Sequence, residues 1–219
     1  MKTKSHTKDK YNVITLGCSK NTVDSEFIAA ELNNAGYTAY HSNNFKNADA
    51  VLINTYGFIL DAKEESLDVI LKCLEAKTQG LLKKVFVMGC LVQRYKNELK
   101  NEMPEVDAFF SFNHNNEIVN TISGKMLVEI NTRLISTPSH FAYLKISEGC
   151  NSHCSFCAIP AIRGKHISKP IEKLVDETEF LVQNGAKEII VIAQDTTFYG
   201  KDIYSTKKLA FLLNKLSDI

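Results

Sequence analysis

Val13-Ile14-Thr15-Leu16-Gly17-Cys18 decides the fold, because the chain repeats its form twice. Val51-Leu52-Ile53-Asn54-Thr55 runs into Tyr56, and Val85-Phe86-Val87-Met88-Gly89 runs into Cys90. Each is a short apolar run of the kind found in strands buried on both faces. Helical patterns fill the intervals. Asp24 to Asn34 sets Phe27, Ile28, Glu31 and Leu32 at helical spacing, with Gly36 as a stop. Lys63 to Lys77 sets Leu67, Ile70, Leu71 and Leu74 at i, i+3, i+4 and i+7, the stripe of an amphipathic helix. Further on, Gln93 to Met103 predicts a third helix, Ala108 to Phe110 a fourth strand and Glu117 to Ile122 a short helix. Such alternation predicts an α/β domain over residues 11–125, an open parallel sheet with flanking helices. Ligands of such sheets bind outside the carboxyl ends of the strands. Cys18, Tyr56 and Cys90 are therefore expected to converge on one crevice, two thiols and a phenol.

Residues 126–140 have mixed composition, with Pro138 near their end, and read as a linker. Tyr143 to Ile146 is then a strand. Ile171 to Asn184 is a helix with Leu174, Val175, Thr178 and Leu181 along one face; Glu188 to Ala193 is a strand, and Thr206 to Leu216 begins a helix. This is the opening of a TIM-type (β/α) barrel over residues 141–219, with its chemistry at the carboxyl ends of the strands. The chain stops at Ile219, before a barrel could close. It is expected to be a fragment that exposes the edge of its second barrel strand and is marginally stable or aggregation-prone.

Between the first barrel strand and its helix lies Gly149-Cys150-Asn151-Ser152-His153-Cys154-Ser155-Phe156-Cys157, a C-x3-C-x2-C spacing. Three thiolates in one loop can hold three irons of a [4Fe–4S] cubane and leave the fourth iron open. A structural zinc ion needs four ligands, and the candidate fourth is His153. Disulfides are disfavoured. Residues 1–10 have no apolar core to form a secretory signal, so the six cysteines are expected to stay reduced. Cys73, on the predicted helix beside Ile70 and Leu74, reads as a small buried hydrophobe.

With 26 basic and 25 acidic residues, the formal charge of +1 makes no global electrostatic case for nucleic-acid binding. No apolar run approaches the roughly 18 residues of a membrane span. A soluble cytoplasmic protein is expected, with residues 1–10 as a lysine-rich disordered tail.

The loop from Cys150 to Cys157 resembles that of the radical S-adenosylmethionine (SAM) enzymes. A wider resemblance covers Tyr11 to Ile219. Leu16-Gly17-Cys18-Ser19-Lys20-Asn21-Thr22-Val23-Asp24-Ser25-Glu26, Asn54-Thr55-Tyr56-Gly57-Phe58-Ile59 and Gly89-Cys90-Leu91-Val92-Gln93-Arg94-Tyr95 resemble three motifs of the radical-SAM methylthiotransferases. Together with residues 148–172 and Ala193 to Gly200, they are most similar to the branch that methylthiolates the β-carbon of an aspartate in ribosomal small-subunit protein twelve. The resemblance implies two [4Fe–4S] clusters. Cys150, Cys154 and Cys157 would hold the radical cluster, whose open iron chelates SAM and whose electron generates a 5′-deoxyadenosyl radical. A sulfur-carrying cluster would use one cysteine from each earlier motif; Cys18 and Cys90 match, and Tyr56 stands at the third position. SAM would also donate the methyl group. The resemblance implies that Ala193 to Thr197, with Gln194 and Asp195, helps line the SAM or substrate pocket; the competing reading is a purely structural loop. Arg163 and Lys165 follow the cluster loop and can pair with an anion there, either the SAM carboxylate or the target aspartate; the competing reading is a solvated basic turn. Implied partners are small-subunit protein twelve or the small subunit, an electron donor and a sulfur source. Two other readings stand: a tRNA methylthiotransferase, which the motif details disfavour, and a non-catalytic cluster-binding remnant, which Tyr56 favours.

Overall fold

A computed structural model describes residues 9–111, 115–124 and 132–219. Residues 1–8 of the predicted tail and 125–131 around the predicted linker lie outside the described residues, and Lys10 already begins the first strand. The chain forms two compact units, residues 1–17 with 27–128 and residues 18–26 with 129–219.

The first unit holds β1 (Lys10–Thr15), β2 (Thr38–His41), β3 (Ala50–Thr55), α2 (Leu60–Thr78), β4 (Lys84–Gly89), α3 (Cys90–Glu102), β5 (Ala108–Phe110) and α4 (Asn115–Ser123). Helix α1 (Ser19–Asn34) gives this unit its residues from Phe27 onward. The five strands are all parallel, in the order β2-β1-β3-β4-β5. All six residues of central β3 are buried, as expected of a parallel strand covered on both faces. Val51, Ile53, Val85 and Val87 pack with Ile70 of α2 and with Leu91 and Val92 of α3 to form the core.

Strand β2 has no counterpart in the sequence reading. Its four residues, Thr38 to His41, bury only Ala39, so no apolar run announces it. Asn33 supplies the missing specificity: its Oδ1 accepts from the Ala39 amide at 2.8 Å. The added strand matters because strand order now reverses between β1 and β3, the topological switch point at which such sheets bind ligands.

Helix boundaries also moved. Helix α1 starts at Ser19 rather than Asp24, through a polar turn that carries no apolar periodicity. Helix α3 begins directly at Cys90, and Tyr95 breaks it with φ −133° and ψ 30°. In α2 the buried stripe is Ala62, Ser66, Ile70, Cys73 and Ala76. Leu71, expected in the apolar face, is 53% exposed; small residues let the helix lie close to the sheet on a rotated face. Cys73 is buried as expected, and burial pushes its thiol up to about 12.

The second unit holds residues up to Glu26 of α1, then β6 (Phe141–Lys145), β7 (Ser147–Glu148), α5 (Ile159–Arg163), β8 (Ile167–Ser168), α6 (Ile171–Gln183), β9 (Glu188–Ile192), a 3-10 turn (Thr196–Phe198), α7 (Lys201–Tyr204) and α8 (Leu209–Leu216). β6 and β9 run parallel, from Phe141 opposite Glu188 to Lys145 opposite Ile192. Among the described residues they pair only with each other. Leu144, Ile146, Leu174, Leu181, Tyr199 and Leu212 form the core. The helix expected from Thr206 begins at Leu209 as α8, and the short α7, which the sequence reading lacked, precedes it, with Ser205 after α7 at φ +60°.

The antiparallel pair β7–β8 brackets the cysteine loop. At the entry to the loop Gly149 has φ +72°, and a Cβ there would collide with the carbonyl oxygens of Lys165 and of Gly164, the latter at 2.6 Å. Gly149→Ala is expected to destabilise the second unit by about 2 kcal/mol or more, from backbone strain plus this collision. Urea denaturation measures it; an unchanged midpoint would contradict the packing described.

Glu31 on α1 is only 8% exposed, and its Oε2 has no hydrogen-bond partner. Burial pushes its carboxyl up from 4.5 to about 7. The folded chain therefore holds the proton more tightly than the unfolded one. Stability from this group is fully present below pH 4.5 and is lost as pH rises through about 7. Glu31→Gln is expected to raise the melting temperature at pH 8, relieving up to about 3 kcal/mol, and to do little at pH 4.5.

Candidate functional site

The cysteine loop is built by its backbone. The Cys150 amide donates to the Gly164 carbonyl at 3.1 Å, and the His166 amide donates to Asn151 Oδ1 at 3.0 Å. The segment Arg163 to His166 is thus the back wall of the loop. Within the loop the Cys157 amide donates to the Cys154 carbonyl at 3.0 Å, and the Ser152 amide donates to Cys150 Sγ at 3.4 Å. Cys154 is exposed, and Cys150 and Cys157 are half-buried. Phe156, between them, is 87% exposed.

Among the described residues, no three His, Cys, Asp or Glu side chains converge closely enough to hold a single metal ion. A cubane makes a different demand, since each of its three thiolates binds a separate iron. Three accessible thiols on one loop, one of them already receiving an amide hydrogen bond, fit that demand. Hydrogen bonds to the sulfurs are among the features that tune such clusters.

At the base of the loop lies a buried ionic cluster that no local pattern of residues announces. Lys145 Nζ pairs with Asp24 Oδ1 and, at 2.8 Å, with Glu148 Oε2. Arg163 Nη1 lies 3.0 Å from both Glu148 oxygens and 3.3 Å from Asp24 Oδ2. Arg163 Nη2 donates to Asn21 Oδ1 at 2.5 Å. The anions that meet Arg163 are therefore carboxylates of the chain itself. Lys165, in contrast, is exposed. Burial would raise the Glu148 carboxyl, but Lys145 and Arg163 outweigh it and hold it at about 2. Burial would likewise lower the Lys145 amine, but Asp24 and Glu148 carry it above its ordinary value. Two carboxylates and two cations balance, as a buried cluster requires.

A second cluster holds the next turn of α1. Arg133, its side chain fully buried, lies 3.2 Å from Glu177 Oε1 and 3.7 Å from Glu26 Oε2. Glu26 Oε1 accepts from the amide and hydroxyl of Ser136 at 2.7 and 2.8 Å.

Gln194 stands just past the end of β9, beside the loop's base. Its Nε2 donates to Glu148 Oε1 at 2.9 Å, while its buried Oε1 has no partner. Asp195 is engaged locally: its Oδ1 accepts from the Thr197 amide at 3.0 Å and hydroxyl at 2.7 Å and caps the 3-10 turn. His166, left without a role in the sequence, is buried, with Nε2 3.1 Å from Ser168 Oγ.

Tyr56 and Cys90 belong to the first unit, and Cys18 to the second. Cys90 is buried as the first residue of α3. Tyr56 is fastened at both backbone ends to Ser66: its amide donates to Ser66 Oγ at 3.1 Å, and that hydroxyl lies 2.9 Å from its carbonyl. Its ring lies against Gly17, where a Cβ would come within 2.5 Å of Tyr56 Cβ and Cγ. The residue after β3 at the switch point is thus a well-packed phenol. It does not fit a three-thiolate set. Cys18 Sγ lies 3.9 Å from Asn21 Oδ1. A cleft of about 470 Å³ beside β5, lined among others by Lys96, Met103, Phe109 and Glu117, contains none of the predicted site residues.

Comparison with known proteins matches two segments. Residues 10–111 match the family described as "Uncharacterized protein family UPF0004", and residues 144–216 match the "Radical SAM superfamily". The chain is 50% identical over 220 residues to "Ribosomal protein uS12 methylthiotransferase RimO" of Cytophaga hutchinsonii, which covers 100% of this chain and 50% of that protein. It is 47% identical over 221 residues to the protein of the same name from Flavobacterium johnsoniae, covering 100% of this chain and 51% of that one. The chain spans about half the length of the curated relatives it matches. Among solved structures, the radical S-adenosylmethionine methyltransferase TsrM from Kitasatospora setae, with tryptophan and a SAM analogue bound, superposes with a TM-score of 0.59 at 11% identity, over 95% of this chain and 51% of that one. At that identity the likeness concerns the fold alone, an α/β architecture that includes part of a radical-SAM barrel. The loop motif, the parallel sheet and the similarity along the whole chain agree in likening it to about half of a radical-SAM methylthiotransferase.

Proposed function

We propose that this chain is part of a methylthiotransferase acting on the β-carbon of an aspartate in ribosomal protein uS12. The observation that carries the reading is the end-to-end similarity to proteins of that name, combined with a solvent-facing three-thiol loop at the head of β6. Cys150, Cys154 and Cys157 are the ligands of the radical cluster in this reading. A bound [4Fe–4S] cluster with an open iron supplies the electron that cleaves SAM. The chain's own residues have simpler tasks. The carbonyl of Gly164 and the side chain of Asn151 fix the loop. Gln194 is tied to Glu148 through its amide nitrogen at the base of the loop, and Asp195 shapes the neighbouring turn. SAM, an electron donor, a sulfur source and the cytoplasm follow as the expected cofactor, partners and compartment. No helix among the described residues is long and apolar enough to cross a membrane.

The sulfur-carrying cluster is the weak element of the reading. With Tyr56 packed on Gly17, only Cys18 and Cys90 remain of its three thiolates. A phenolate ligates haem iron in catalase, but cubane clusters are held by thiolates. This observation favours a chain that builds one cluster rather than two.

Anaerobic reconstitution of the 219-residue chain is expected to give about four irons per chain, and about eight in Tyr56→Cys. A stable value near eight in the unaltered chain would overturn the role given to Tyr56. With SAM and dithionite, the reconstituted chain is expected to release 5′-deoxyadenosine, and Cys154→Ser to lower that release to background. Release that persists in Cys154→Ser would remove the radical loop from the mechanism.

A further inference from the structure

The first two turns of α1 are held by charge rather than by grease. From Ser19 to Glu26 the fully buried apolar residue is Val23; the other anchors are polar. Asn21 receives Arg163, Asp24 receives Lys145 and Arg163, and Glu26 receives Ser136 and faces Arg133. The Leu134 amide adds a 3.0 Å bond to the Glu26 carbonyl. Every one of these partners lies in residues 133–163, on the segments that lead into or out of the cysteine loop.

A buried ion cluster is a poor device for stability alone, since well-packed apolar residues of similar volume often do as well or better. What it provides is direction, because each partner accepts only one arrangement. Here the direction runs to a thiol. Cys18 Sγ and Arg163 Nη2 meet the same atom, Asn21 Oδ1, at 3.9 and 2.5 Å. Arg163 in turn grips Glu148, two residues before Cys150, and it closes the α5 helix that follows Cys157. Its side chain is 2% exposed, so it is shut off from any soluble anion.

We infer that Asn21, Asp24 and Arg163 are positioning residues that lock Cys18 to the Cys150–Cys157 loop. The inference rests on the proposed function only for the purpose of the lock, which is to hold a sulfur-handling thiol in fixed register with the radical loop. The lock itself is a property of the metal-free chain.

The six cysteines provide the test. Time-resolved alkylation of the metal-free chain, resolved by residue with mass spectrometry, reports each thiol separately. Cys73 and Cys90, at 1% and 2% exposure, report whether the first unit survives, and half-buried Cys157 reports the second. Asn21→Ala and Arg163→Lys are expected to speed alkylation of Cys18 by about tenfold, with Cys73, Cys90 and Cys157 unmoved. Asp24→Asn is expected to speed Cys18 and Cys150 together, and adding Lys145→Met, which restores charge balance, to return part of the protection. General loosening of the second unit would speed Cys157 along with Cys18, so release of Cys18 with Cys157 unmoved separates the lock from a purely structural role. Asn21→Ala alters no charge and carries the test if Asp24→Asn also speeds Cys157. Unchanged Cys18 rates in both Asn21→Ala and Arg163→Lys would overturn the lock. A chain that shows this linkage but makes no 5′-deoxyadenosine refutes the proposed function and not the lock.

Discussion

The pairing of Asp24 and Glu148 with Lys145 and Arg163 is the constraint on which the second unit depends. Isolated buried charges cost several kcal/mol each, and removing one partner of a buried pair typically costs about 3–5 kcal/mol. All four side chains must therefore be present and correctly placed together. Because two of them flank the cysteine loop, the position of the loop follows from the same balance. Glu148 is the hub: it meets Lys145, Arg163 and Gln194, and so joins the end of β6, the exit of the loop and the end of β9. The loop can remain open to solvent because its base is rigid.

The first unit solves a different problem. Its sheet is an apolar sandwich with a fully buried central strand, and its chemistry is confined to the carboxyl ends of the strands. At the switch point between β1 and β3 the available side chain is the phenol of Tyr56. Gly17 and Ser66 hold that ring and its backbone closely enough that the residue is an integrated part of the packing. The cysteines of this chain are thus placed differently. Three lie together on one accessible loop, whereas Cys90 is buried at the start of α3.

Much of the architecture was legible in the sequence. β3 and β4 carry apolar runs long enough to declare themselves, and the spacing of Cys150, Cys154 and Cys157 survives any rearrangement of the rest because it lies within one loop. The errors share a cause. β2 buries one residue of four, so no pattern betrayed it. Leu71 satisfied a helical spacing, but the sheet preferred the narrower face of Ala62, Ser66 and Ala76. The first turn of α1 is polar and is tied through Asn21 to Arg163, 142 residues away.

Local order, then, was set by the sequence: the alternation of strand and helix, the three-thiol loop and the substitution of a phenol at position 56. All of these are short-range features, within a few residues of one another. The partners of Arg163 were decided only by the tertiary structure. Asp24 is 121 residues from Lys145 and 139 from Arg163, and no periodicity or spacing links charges so far apart. Only folding removes them from water together, and it is that shared loss of water that obliges them to pair.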